Sequence, residues 1–152
     1  MPAERAKHPE RGEAEDLLER WWEEHSELDQ LAAELRRSLA FHGPARVSQA
    51  MEEFAAELGS HLDVEEEVYF PLIEQLVPDQ ATRTRRARVA HVLLRLDLGE
   101  MRAQIEKGDL DQARRTFELL LRRFRDHEHQ EAELIPRRPG AAGGRQNEET
   151  RK

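Results

Sequence analysis

The stretch HLDVEEEVYFP, residues 61–71, sets a histidine and a glutamate four positions apart within an otherwise apolar helical period. Read outward in steps of three and four, the stripe runs Val47, Met51, Phe54, Leu58, His61, Glu65, Val68, Leu72 and Leu76, the pattern of a helix with one buried face. A buried histidine is ordinary. A carboxylate at a core position must be neutralised, paired or bound to a cation, because an isolated buried charge is expensive. The same HxxxE spacing returns at His127 and Glu131. Around it lies the stripe Leu110, Ala113, Phe117, Leu120, Phe124, His127, Glu131 and Leu134.

Two further stripes carry one histidine each. Leu17, Trp21, His25, Leu28, Ala32, Leu35 and Leu39 form one, and Ala87, His91, Leu94, Leu98, Met101 and Ile105 the other. Gly43-Pro44, Pro78-Asp79 and Gly108-Asp109 punctuate the chain between them. The expected helices are 13–42, 45–77, 80–107 and 110–136. Short turns make consecutive helices antiparallel neighbours, so the expected fold is all-α, an up-down-up-down four-helix bundle. Pro71 should kink the second helix or disturb its last turns. Asp109 with Gln112 resembles a capping box, and Asp79 is placed to cap the third helix.

The turns also set heights. His25 and His61 each lie about eighteen residues from the first turn, and His91 and His127 about eighteen from the last, so each pair is level to within a few ångströms. Across the middle turn His91 is nearer than His61 by about five residues. Stripe and height together place His25, His61, Glu65, His91, His127 and Glu131 in one layer. His8, His42 and His129 fall off the stripes.

Composition narrows the class. The 152 residues suit one domain, with 1–12 and the Gly- and Pro-bearing 137–152 expected to be disordered ends around a bundle at 13–136. No cysteine is present, which removes disulfides, thiolate metal sites and iron–sulfur clusters. No apolar run approaches a membrane span, and the charged N-terminus lacks the apolar core of a signal peptide. These features favour a cytoplasmic protein with no membrane partner. The formal charge of −8 argues against nucleic acid as a partner. The basic run TRTRRAR at 82–88 reads as a solvated face.

Four imidazoles and two carboxylates are too nitrogen-rich for calcium or magnesium, which prefer oxygen. Iron, manganese, zinc or cobalt suit them better. Residues four apart on a helix stand one above the other, so each HxxxE pair can hold one ion together, or its glutamate can reach a second. A metal-free polar layer that fixes the register of the helices is the alternative.

The motifs resemble the hemerythrin-like (HHE cation-binding) family: EEHSELDQL around His25, HLDVEEEVYFP at 61–71, RVAHVLLRL around His91 and HEHQEAELIP at 127–136. The resemblance implies an up-down bundle with a non-haem di-iron centre. His25, His61, His91 and His127 would be terminal ligands and Glu65 and Glu131 the bridges. Oxygen-carrying members have another histidine four residues beyond the one on the third helix, where this chain has Arg95. That leaves one iron a ligand short, to be completed by water, Tyr69 or Glu66, unless Arg95 instead pairs with a carboxylate. The function so implied is binding or sensing of oxygen, nitric oxide or peroxide, or iron handling, with the protein partner unassigned. A di-iron oxidase or peroxidase is the enzymatic alternative, although the ExxH motif of ferritin-like sites is absent.

Overall fold

A computed structural model describes residues 11–134, and the described residues are helical throughout apart from short turns. Helix α1 spans Arg11–Phe41, α2 Pro44–Val64, α3 Phe70–Leu76, α4 Ala81–Glu106 and α5 Leu110–Leu134. Glu65–Tyr69 form a π-helical turn joining α2 to α3, and Pro78–Gln80 a single 3₁₀ turn before α4. Of the ends expected to be disordered, 1–10 and 137–152 lie outside the described residues, as do 135 and 136 of the last expected helix, while Arg11 and Gly12 belong to α1. No described helix is long and apolar enough to cross a membrane.

Helix α1 packs against α2 and α5, and α4 packs against α5 and α2. Leu28, Leu35, Leu39, Val47, Met51, Phe54, Leu58, Leu94, Met101, Phe117 and Leu120 form one large apolar cluster. Trp21, Tyr69, Phe70, Ile73, Ala87 and Leu134 form a second. Each fully buried aliphatic or aromatic side chain contributes about 1.5–3 kcal/mol. On the outside, Arg36 holds Glu118 through two bonds of 2.9 and 2.8 Å, and Arg102 reaches Glu52 at 2.8 Å. These cross-helix pairs set register more than stability, since exposed ion pairs contribute little.

The second helix departs from the expected continuous 45–77. Proline at 71 has no N–H and its ring crowds the carbonyl four residues back. Widening the preceding turn, with the Phe70 amide donating to the Glu65 carbonyl, accommodates it. The extra residue rotates everything after Glu65. Val68, expected on the inner stripe, is exposed, and Tyr69 and Phe70 are buried in its place. Leu76, also expected inside, is exposed as well. A π turn advances less along the axis per residue than an α turn, which shortens the climb from His61 to the middle turn and reduces its offset from His91.

Two capping expectations divide. Asp109 Oδ1 accepts from the Gln112 amide at 3.2 Å, one half of the box. Asp79 does not cap α4: Gln80 occupies that position, no side chain bonds there, and Asp79 is taken up in the 3₁₀ turn. Gly108, at φ 77°, makes the left-handed turn into α5 that a side chain would resist.

Candidate metal centre

The six polar residues of the stripes meet in one layer near the second apolar cluster. His25, His61, Glu65, His91, His127 and Glu131 are all buried, Glu65 and His91 completely. They fall into two overlapping groups. In one, His25, His61, Glu65 and Glu131 each offer a ligand atom within 4.8 Å of the others. Glu65, His91, His127 and Glu131 do the same in the other. Both carboxylates belong to both groups, while each pair of histidines belongs to one.

The local contacts follow from helix geometry. His61 Nε2 lies 3.0 Å from Glu65 Oε1 one turn later, and His127 Nε2 likewise meets Glu131 Oε1. Across the bundle, His91 Nε2 is 2.8 Å from His127 Nε2 and 3.6 Å from Glu65 Oε1. Yet His25 Nε2, His61 Nε2, Glu65 Oε1 and both Glu131 oxygens are buried with no well-formed hydrogen bond among the described residues. Buried polar atoms almost always find such partners. Several acceptors and imidazole nitrogens converging without them fit a shared cation, and the nitrogen–carboxylate set suits a transition metal.

Charge within the layer is finely opposed. Burial, with His61 beside it, lowers the His25 pKa to about 3, keeping the ring neutral. Burial also lowers His127, only partly countered by Glu65. For His61 burial acts in the same sense but is outweighed by Glu65 and Glu24, which hold its pKa above the ordinary value. Burial pushes Glu65 up, and the nearby rings of His127, His61 and His91 overcome it, leaving the carboxyl well below the usual range. A charged Glu65 and the neutral rings of His25 and His127 are in the states a metal requires, whereas His61 would have to release a proton to it.

Two outer carboxylates hold the rings: Glu24, unrecognised in the sequence, and Glu66, read there as a candidate ligand. Glu24 Oε2 lies 3.0 Å from His61 Nδ1, and Glu66 Oε1 lies 2.9 Å from His91 Nδ1. Such partners fix the ring and tautomer of a ligating histidine. Trp21, read only as an apolar stripe residue, donates its Nε1–H to Glu65 Oε2 at 3.1 Å. The indole N–H, which needs an acceptor when buried, was the available signal. Glu24 gave none, since its partner lies 37 residues away.

Arg95 takes the carboxylate alternative. Its guanidinium donates to Asp63 Oδ1 at 2.7 Å and to Glu66 Oε2 at 3.3 Å. Glu66 is thereby tied on one oxygen to Arg95 and on the other to His91. Tyr69 instead donates to the Leu17 carbonyl at 2.8 Å. Arg123 pairs with Asp97 at 3.0 Å. The basic run at 82–88 is not wholly solvated: Thr84 is buried, and Arg88 pairs with Glu74 at 2.8 Å and lies over the Phe70 ring.

A family model described as the hemerythrin HHE cation binding domain matches residues 16–137, spanning all six layer residues. Comparison with curated proteins and with solved structures yields no match. By the extent of that match, which takes in all four helical segments and the buried histidine–glutamate layer, the chain belongs to the hemerythrin HHE cation-binding domain family.

Proposed function

We propose that the protein is a non-haem di-iron protein that binds or senses a small oxidant or diatomic molecule (oxygen, nitric oxide or peroxide). One ion would be held by His25 and His61, the other by His91 and His127, with Glu65 and Glu131 between them. The observation that carries this reading is that the two donor groups share both carboxylates and neither histidine pair. The bundle at 13–136 would run up-down-up-down, which the short turns and the level histidines support. A cytoplasmic location agrees with the lack of cysteine and with no membrane-spanning helix among the described residues.

When bound, iron would supply an open coordination position and electrons to a small ligand. The chain's own part is positioning and exclusion. Glu24 and Glu66 hold His61 and His91 by their Nδ1 atoms, leaving Nε2 directed at the carboxylates. Trp21 fixes the second oxygen of Glu65. Phe54, Leu58, Leu94 and Phe124 on one side and Tyr69 and Phe70 on the other exclude bulk water. Between α4 and α5 a furrow of about 210 Å³, lined by Ala90, Leu93, Leu94, Arg123, Asp126, Gln130 and His127, offers a small molecule an approach to the layer.

The test is metal content and visible absorption of protein purified from iron-supplemented cells, compared with His61→Ala and Glu131→Ala. Two irons per chain, near-ultraviolet bands altered by azide or reduction, and loss of at least one iron in each variant are expected. Two irons retained in both variants would sink the assignment. Stoichiometric zinc or manganese alone would remove the oxygen chemistry and leave the site.

A further inference from the structure

Helix α4 is apolar on two opposite faces, and its own fold uses one. Ala87, His91, Leu94, Leu98, Met101 and Ile105 face the core. On the far side Val89, Val92, Leu93 and Leu96 are 61, 57, 45 and 64% exposed. Their spacing of three, one and three residues is a continuous helical stripe. Scattered exposed leucines need no explanation, but four on one stripe make an apolar patch on the order of 300 Å².

The ends of this stripe carry opposite charge. Arg85 lies one turn before Val89, and Glu100 one turn after Leu96, both exposed. Arg85 makes no hydrogen bond or close ion pair with another described residue, though its charge acts on Glu74, and Glu100 has only a 3.4 Å bond from Gln104. A two-fold axis through the midpoint of Val92 and Leu93 relates position i to position 185 − i on a second copy. The axis sets Val89 against Leu96, Val92 against Leu93 and Arg85 against Glu100, twice over. Parallel pairing would instead bring Arg85 to Arg85 and Glu100 to Glu100. Gly99 falls beside the stripe, and a Cβ there would meet nothing within 4 Å of its own chain.

We propose that this face of α4 docks on a second copy of the chain, antiparallel and two-fold symmetric, with Arg85 paired to the other copy's glutamate at position 100. The interface is isologous, so each contact occurs twice. Two α-helices crossing at about 20° meet along this length. Two such patches bury about 600 Å² together, less than a standard stable interface, and fit only a weak, transient dimer with Kd on the order of 10–100 μM. Self-complementary charge selects a second copy over any unrelated apolar surface. The inference does not rest on the metal-centre reading, although Leu93 belongs both to this face and to the furrow between α4 and α5, so docking would cover one wall of that furrow.

Sedimentation equilibrium of the full chain from low to high micromolar concentration tests it, with circular dichroism confirming that each variant keeps its helix content. A monomer–dimer equilibrium is expected, and Leu96→Lys should weaken it about a hundredfold, because two buried leucines are lost per dimer. Arg85→Glu and Glu100→Arg should each weaken it about tenfold, and the double reversal should recover the parent affinity within about threefold. A monomer at every concentration overturns the proposal, as does a dimer indifferent to Leu96→Lys. A double reversal no tighter than either single change overturns the antiparallel register. Flotation of a monomer with anionic vesicles would give the face to a membrane surface instead.

Discussion

Replacing Glu65 with glutamine should disturb both ions at once, whereas replacing His25 with alanine should disturb one. Glu65 offers an atom to both donor groups, and His25 to the first alone. Ions held by four protein donors in small domains bind with roughly 10–16 kcal/mol, so one donor carries about 3 kcal/mol, or somewhat over a hundredfold in affinity. Glutamine keeps the shape and one carbonyl oxygen but removes the negative charge that His61, His91 and His127 surround. Its effect should therefore approach the full value at both ions. His25→Ala leaves Glu65, His91, His127 and Glu131 complete, so one ion per chain should still be held at parental affinity. Anaerobic iron(II) titration with metal analysis after gel filtration separates the two patterns. Parental iron binding by Glu65→Gln, or equal loss of both ions in His25→Ala, would refute the shared-carboxylate arrangement.

Arg95→Ala should free Glu66 from one side and weaken metal binding by about tenfold, and Glu66→Gln by about ten- to a hundredfold. A double variant no worse than Glu66→Gln alone would show that Arg95 acts through Glu66, and an additive loss would show that it does not. Without metal, stability should peak near pH 6.5. Below that, unfolded His25 takes a proton that the fold resists until about pH 3, so stability is lost as pH falls, by at most about 3 kcal/mol between pH 6.5 and 4 from this group. His127 and Glu65, also depressed, add to the acid limb, while His61, raised, contributes stability that is lost as pH climbs through its folded value. Chelated protein followed by thermal melts checks this, and a flat Tm from pH 6.5 to 4 would contradict it. Finally, Val68→Ser should change stability by no more than about 0.5 kcal/mol and Tyr69→Ala lower it by about 3–5 kcal/mol, measured by urea denaturation. Equal effects would mean that the inner face does not shift at the π turn.

What could be read from the sequence was whatever repeats along one helix. The period of 3.6 carries through His25, His61, His91 and His127 without a break, so an inward direction for each followed from its apolar neighbours. Glu65 and Glu131 followed from the i, i+4 rule. What failed was the step past Glu65. Pro71 signalled a disturbance, but whether a helix answers a proline by kinking, ending or widening depends on its packing. Here Tyr69 and Phe70 enter the second cluster and Tyr69 bonds to Leu17, so widening is favoured, and Val68 turns outward. Arg95 pairing with a carboxylate was among the readings of the sequence, but Glu24, and Glu66 as a partner of His91 rather than a ligand, were obscured for another reason. Their partners lie 25 to 37 residues away on other helices, and charged residues on an outer turn look alike whether solvated or holding a buried ring.

The outer carboxylates bear on how the layer can exist before any ion arrives. Neutral His25 beside His61, and Glu65 surrounded by three imidazoles, form a network in which one proton too many or too few leaves a buried charge unopposed. Glu24 and Glu66 are only partly buried, with side chains 29 and 32% exposed, so each can hold its histidine while its own charge stays hydrated. They keep His61 and His91 oriented at little desolvation cost. Arg95 does the same for Glu66 from the solvent side. An ion entering the layer then meets rings already aimed at it, displacing a proton only from His61, and the entropy of assembling the site is met when the helices pack. The metal-free fold should consequently keep its helix content while losing stability, unlike small domains whose folding depends on the ion. Parent-level melting after chelation would mean that the network satisfies itself, and full loss of helix that the preorganisation argued from Glu24 and Glu66 is wrong.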